Sequence, residues 1–166
     1  MLVDAALRLS GALFVIVGGR EQDVNRYRDL AREKKAENVI FIGFVPHGEV
    51  AAYLSASDVL VMPYTSGVTI RGGTKASQFT SPIKLFEYMA AGRPIVATAL
   101  PTVLEILKNG QNALLVEPGN AAVLSEALGK VLDDRELAKT LASASKAEVE
   151  IYTWENRARK LLGIKI

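Results

Sequence analysis

Cysteine is absent from the 166 residues, and histidine occurs once, as His47. Disulfides and thiolate metal sites are therefore excluded, and a dedicated transition-metal centre has almost no ligands to draw on. No nucleophile–base constellation built on histidine is assembled in the sequence. No apolar run approaches the ~20 residues that span a bilayer. Asp4 and Arg8 interrupt the first ten residues, which do not make a signal peptide. Charge is also scant. The formal net charge is +2 and the basic residues are scattered, which leaves no footprint for nucleic acid. What is there is 49% apolar and 23% charged, a single globular domain with enough chain for a full core.

Short apolar runs alternate with helical stretches. Residues 2–9 read as a helix. Leu13 to Val17 is apolar without polar alternation, which predicts a strand buried on both faces. Gly18-Gly19-Arg20 and a polar helix over Glu21 to Ala36 follow. Val39 to Ile42 is a second such strand, ending in Gly43-Phe44-Val45-Pro46; a helix around His47 to Ser55 leads to a third strand, Val59 to Met62. This alternation predicts a parallel α/β sheet, with ligands at the carboxyl ends of its strands. Gly18, Gly19, Arg20, Gly43, Phe44 and Val45 all fall there. The Gly18-Gly19 pair lacks the G-x-G-x-x-G spacing, so a nicotinamide site is not indicated. Tight strand-to-helix turns account for these glycines equally well, and Arg20 and His47 also read as surface residues. Pro63 to Thr80 is a long polar loop; it reads either as a binding loop offering Arg71 and Lys75, or as an insertion.

The stretch Ser81 to Thr98 reads as helix, stop, strand. Ser81 is a good N-cap and Pro82 suits the first helical position. Gly92 can close the helix in the left-handed conformation, and Pro94 prevents its resumption. At 100° per residue, Leu85, Met89, Phe86, Ala90 and Ile83 share one arc, with Lys84, Tyr88 and Ala91 opposite. Glu87 sits at the edge of the apolar arc, where a half-buried carboxylate needs a partner. A helix start with free N–H groups and a lysine in its first turn is an anion site. Glu87, about 9 Å along the axis from Ser81, leans back toward it and reaches a hydroxyl one step beyond a bound diphosphate. The alternative is an ordinary amphipathic helix with Lys84 and Glu87 as a solvated pair.

The string Ser81-Pro82-Ile83-Lys84-Leu85-Phe86-Glu87-Tyr88-Met89-Ala90-Ala91-Gly92-Arg93-Pro94-Ile95-Val96-Ala97 closely resembles the nucleotide-sugar signature of GT-B glycosyltransferases. It is most similar to the retaining family called group 1, or GT4. The resemblance implies the carboxy-terminal, donor-binding domain of such an enzyme, spanning 1–166. Its fold is a Rossmann-like doubly wound parallel sheet with helices on both faces. The donor is a nucleoside-diphosphate sugar, with no metal or other cofactor. By that resemblance the diphosphate lies on the helix start, at Thr80, Ser81, Pro82, Ile83, Lys84 and Leu85, and Glu87 binds the ribose. The stretch Asn38 to Val45 resembles one whose loop backbone, here Gly43, Phe44 and Val45, meets the donor base. The turn Gly18-Gly19-Arg20 borders the same cleft. No catalytic residue is assigned. The location expected is cytoplasmic, membrane-peripheral in the full-length protein. Later segments are also similar to the family: Asn120 caps a helix to about Leu132, another runs from Arg135 to about Ala147, and a closing helix occupies about 152–163 with Trp154 as packing anchor.

The sequence also departs from the family. Many members carry an additional glutamate ahead of the one matching Glu87, and Phe79 stands in its place; Phe79 cannot hydrogen-bond a sugar hydroxyl. Ala113 stands where the family often has glycine. Nothing before Leu13 resembles the opening strand, Gly-Arg turn and lysine of such a domain. The expectation is therefore a domain without its first, central strand and its phosphate clamp, inactive alone, whose acceptor-binding amino-terminal domain is missing. An unfilled central gap exposes two strand edges, which invites a homodimer or a rearranged sheet. Two other readings stay open: a degenerate nucleotide-binding or assembly module without catalysis, and a fragment of a GT-B nucleotide-sugar epimerase.

Overall fold

The computed structural model describes residues 1–64 and 83–163. Its elements run α1 (Leu2–Arg8), β1 (Phe14–Val17), α2 (Glu21–Glu33), β2 (Val39–Gly43), α3 (His47–Ala56) and β3 (Leu60–Met62). They continue with α4 (Ile83–Ala91), β4 (Ile95–Thr98), α5 (Pro101–Leu104), β5 (Leu114–Val116), α6 (Ala121–Asp133), α7 (Arg135–Val149) and α8 (Trp154–Leu161). The strands form two parallel sheets, β1–β2 and β3–β4–β5. Helices cover both faces of the three-stranded sheet, as the doubly wound reading expects.

β4 is buried along its whole length because it lies between two strands and two helix layers. Its side chains alternate between the layers. Ile95 and Ala97 join Leu85 and Met89 of α4 in one cluster, while Val96 joins Leu124 and Leu128 of α6, Ala5 and Ala6 of α1, and Phe14 of β1 in the other. α1 and α2 share the α6 side. Val3 of α1 meets Ala31 and Ala36 around α2, and Lys34 just past α2 pairs with Asp4 of α1. α7 packs against both α4 and α6 beside Gly92 and Pro94, closing the amino end of β4. Gly92 takes φ +64° as it ends α4, a conformation that costs an L-residue about 1–2 kcal/mol.

Several expectations are corrected. β1 and β2 are not buried on both faces. Leu13, Val15, Ile40 and Ile42 are exposed, because no described helix covers that side of the two-stranded sheet. On α4, Ile83 is 74% exposed although it belongs to the apolar arc, whereas Tyr88, assigned to the polar side, is packed into the α4–β4 cluster. The buried face is turned because α7 covers a flank of α4 as well as the sheet. Trp154 is no anchor. It is 84% exposed beside Arg157, and Tyr152 instead stacks on Phe86 at 5.2 Å between ring centroids. α2 ends at Glu33 rather than Ala36, since Lys35 turns to φ +56°.

Asn38 fixes the first crossover. Its side-chain amide donates to the carbonyls of Ala6 (2.9 Å), Leu9 (3.1 Å) and Ala12 (2.9 Å), pinning the exit of α1 to the start of β2. Asn38→Ala is expected to lower stability by about 1–3 kcal/mol, the cost of leaving part-buried acceptors without this donor. Urea unfolding checks this, and an unchanged midpoint would show that water replaces the amide.

Candidate functional site

Within each sheet every crossover passes through one helix, so β2 runs parallel to β1, β4 to β3 and β5 to β4. The strand exits therefore gather at one edge within each sheet. β1 exits into Gly18-Gly19-Arg20 and β2 into Gly43-Phe44-Val45. The two turns are joined, because the Gly18 N–H donates to the Gly43 carbonyl. Gly18 and Gly19 have φ near +97° and +98°, and a Cβ on Gly19 would meet Val24 at 3.1 Å. These positions accept little but glycine. Arg20 is exposed just ahead of α2, where its carbonyl accepts from the Val24 N–H while its side chain bonds to no described residue; Phe44 is also exposed, and Val45 is half-buried.

α4 lies between β3 and β4 and runs against them, so its first turn sits at the carboxyl edge of the three-stranded sheet. Thr80, Ser81 and Pro82 lie outside the described residues, as do Phe79, Arg71 and Lys75. Of the first described turn, Leu85 is fully buried and fixes the helix, while Ile83 and Lys84 face solvent. Glu87 is half-buried. It forms no hydrogen bond or ion pair with any described residue, and the pair with Lys84 is not made. A partly desolvated carboxylate without a protein partner is costly unless something else satisfies it.

Beside this helix the sequence analysis missed a built feature. Thr98, fully buried at the end of β4, donates its hydroxyl to the Tyr64 carbonyl at 2.8 Å. This ties the exit of β3 to the exit of β4. Tyr64 and Tyr88 both have phenol pKa values raised by burial, and for Tyr88 the charges of Tyr64 and Glu87 add to the shift. Both are neutral hydrogen-bonding groups at physiological pH. The signal available was small: a threonine closing an otherwise apolar strand.

Among the described residues, no cluster of three or more His, Asp and Glu is placed to hold a metal ion, and no helix is long and apolar enough to cross a membrane. His47 is exposed at the start of α3.

The family model "Glycosyl transferases group 1" matches residues 2–148. The chain belongs to that family. Its relatives include 2-deoxystreptamine N-acetyl-D-glucosaminyltransferase of Streptomyces fradiae, 31% identical over 142 residues, which are 85% of this chain and 31% of that protein. A GDP-mannose-dependent alpha-(1-6)-phosphatidylinositol monomannoside mannosyltransferase of Mycobacterium tuberculosis is 28% identical over 159 residues, 93% of this chain and 39% of the relative. Among solved structures, Anabaena HepE in complex with UDP and glucose superposes with a TM-score of 0.75 at 20% identity, over 98% of this chain and 43% of HepE. That likeness shows the GT-B fold. The chain spans 28–31% of the length of the first three curated relatives it matches.

Within this group 1 domain, the sequence-assigned residues fall at two places. Gly18, Gly19, Arg20, Gly43, Phe44 and Val45 lie at the edge of the two-stranded sheet, and Ile83, Lys84, Leu85 and Glu87 at the edge of the three-stranded one. Thr98→Val keeps the shape of the β4 exit and removes its only hydroxyl. The variant is expected to lose about 1–3 kcal/mol, because the part-buried Tyr64 carbonyl loses its donor. Thermal or urea unfolding measures it, and wild-type stability would mean that the hydroxyl does not hold the exit of β3.

Proposed function

We propose that residues 1–166 form the donor-nucleotide-binding domain of a glycosyltransferase that moves a sugar from a nucleoside-diphosphate sugar to an acceptor, with retention at the anomeric carbon. The observation that carries this reading is Glu87, a half-buried carboxylate with no partner among the described residues, in the second turn of a helix that starts at a strand-exit edge. A ribose hydroxyl donating to Glu87 supplies the missing bond. The dipole of α4 and Lys84 favour the diphosphate next to it, and Gly43, Phe44 and Val45 take the base. Structures related in fold have been solved with UDP and with UDP-glucose, and relatives use GDP-mannose, which supports a nucleotide-sugar donor without choosing the base.

In this account the domain contributes positioning and stabilises the charge of the departing diphosphate. No metal or other cofactor is required. The acceptor is held by an amino-terminal domain, and residues 1–166 alone bind donor without transferring sugar. The setting is cytoplasmic. A second reading, a nucleotide-binding module without catalysis, draws on Phe79 in place of the glutamate its family resemblance leads one to expect.

Titration calorimetry with UDP, GDP and ADP tests the site. One nucleotide is expected to bind, and Glu87→Ala to weaken it by about 10- to 100-fold, the value of a hydrogen bond to a charged group. Equal affinity of wild type and variant would remove Glu87 from the site. No binding of any nucleotide at millimolar concentration would contradict the proposal.

A further inference from the structure

The edge of the three-stranded sheet opposite its strand exits holds a hollow of about 310 Å³. Three elements meet there. The turn from α3 to β3 brings Asp58, the turn from α4 to β4 brings Gly92 and Arg93, and α7 brings Lys139, Ser143 and Lys146. The α7 residues lie four and three apart, so they share one face of that helix. Two of the three cations are already engaged. The Arg93 guanidinium donates to the Ser55 carbonyl in the last turn of α3. The Lys146 stem crosses the Gly92 turn, its Cδ 2.9 Å from the place a Cβ would take and its Nζ 3.7 Å from the same point. Its ammonium therefore stands over the carboxyl end of α4. Lys139, Lys146 and Asp58 form no ion pair with any described residue.

The charges decide what fits. A helix carboxyl end carries about half a negative charge, and those of α3 and α4 both face this edge. Three cations against one carboxylate and two such ends leave an excess of about one positive charge. An anion is favoured, and one of low charge. Capping the two helix ends accounts for Arg93 and Lys146 only. Lys139 lies outside that task, and a carboxylate beside helix carboxyl ends works against it. Asp58 sets a second condition. It repels a bare anion but accepts hydrogen bonds from hydroxyls, so the ligand carries hydroxyl donors as well as its charge.

We infer that this hollow binds a phosphate ester of a polyol, whether free as a sugar phosphate or borne by a lipid headgroup. The phosphate meets Lys139 and Lys146 with Arg93 beside them, and the polyol hydroxyls bond to Asp58 and Ser143. The ligand thereby joins α7 to the carboxyl ends of α3 and α4. The site is separate from the one proposed for the donor and does not depend on that reading. Lys84 lies at the other end of α4, a helix of nine residues and so about 13 Å long.

Titration of the chain with glucose 1-phosphate and with inorganic phosphate, at constant ionic strength and read at the backbone amides by NMR, tests this. Glucose 1-phosphate is expected to shift Gly92, Arg93, Lys139 and Lys146 along one saturable curve, and inorganic phosphate to bind at least about threefold more weakly. The double variant Lys139→Gln, Lys146→Gln is expected to weaken glucose 1-phosphate by about tenfold, the worth of two exposed ion pairs. Asp58→Asn is expected to abolish the preference by letting inorganic phosphate bind as well. Vesicles containing phosphatidylinositol 4-phosphate form a second arm, compared with equally charged phosphatidylserine vesicles. Preferential pelleting that the double variant loses, without saturable binding of the free ester, places the phosphate on a lipid. Equal affinity for the two free anions would overturn the inference. So would shifts confined to Lys84 to Glu87, or shifts rising linearly for both anions alongside pelleting indifferent to the headgroup.

Discussion

Burial of β4 between two strands and two helix layers is the constraint on which the rest depends. Ile95, Val96 and Ala97 are fully enclosed, and each large side chain contributes about 1.5–3 kcal/mol by leaving water. Because the strand is short, its ends are fixed as closely as its middle. At the amino end Gly92 must take a left-handed turn and Pro94 must be buried, so α4 stops where it does. At the carboxyl end Thr98 holds the Tyr64 carbonyl. The helix bearing Lys84 and Glu87 is thereby held at both sides, and the orientation of Glu87 follows from the packing of Leu85 and Met89 beneath it.

Much of this was legible in the sequence for simple reasons. The run Pro94 to Ala97 is continuously apolar, and a strand with helices on both faces demands that. Asn120 caps α6 as its residue type suggests, accepting from the Val123 N–H. Pattern failed where a face has no cover. Leu13 to Val17 and Val39 to Ile42 look like β4 in sequence, yet Val15, Ile40 and Ile42 are exposed. An apolar strand reports what its side chains would favour, not whether a neighbour is present. Trp154 failed similarly. Its size suggested an anchor, but the contact that docks the segment before α8 is Tyr152 on Phe86, a pair remote in sequence.

The site was legible in part. The glycine turns and the helix start were visible because each is a local conformational requirement. That Glu87 has no side-chain partner among the described residues was not, since Lys84 three residues earlier offered an obvious one; the structure shows that the two do not meet. Thr98 and the half-buried phenols Tyr64 and Tyr88 come together only through the crossover between β3 and β4. Thr80, Ser81 and Pro82 lie outside the described residues, so their place in the site rests on the family signature. Under the proposed donor-binding reading, turns at two sheet edges offer separate contacts for base and diphosphate.

The most direct measurement is an NMR titration of the chain with a nucleoside diphosphate, reading every backbone amide. The account predicts that one ligand shifts two sets of resonances together, with one dissociation constant: Gly18, Gly19, Gly43 and Phe44 at one sheet edge, and Lys84 to Glu87 at the other. Shifts confined to one of these sets, or gathered elsewhere on the surface, would contradict it.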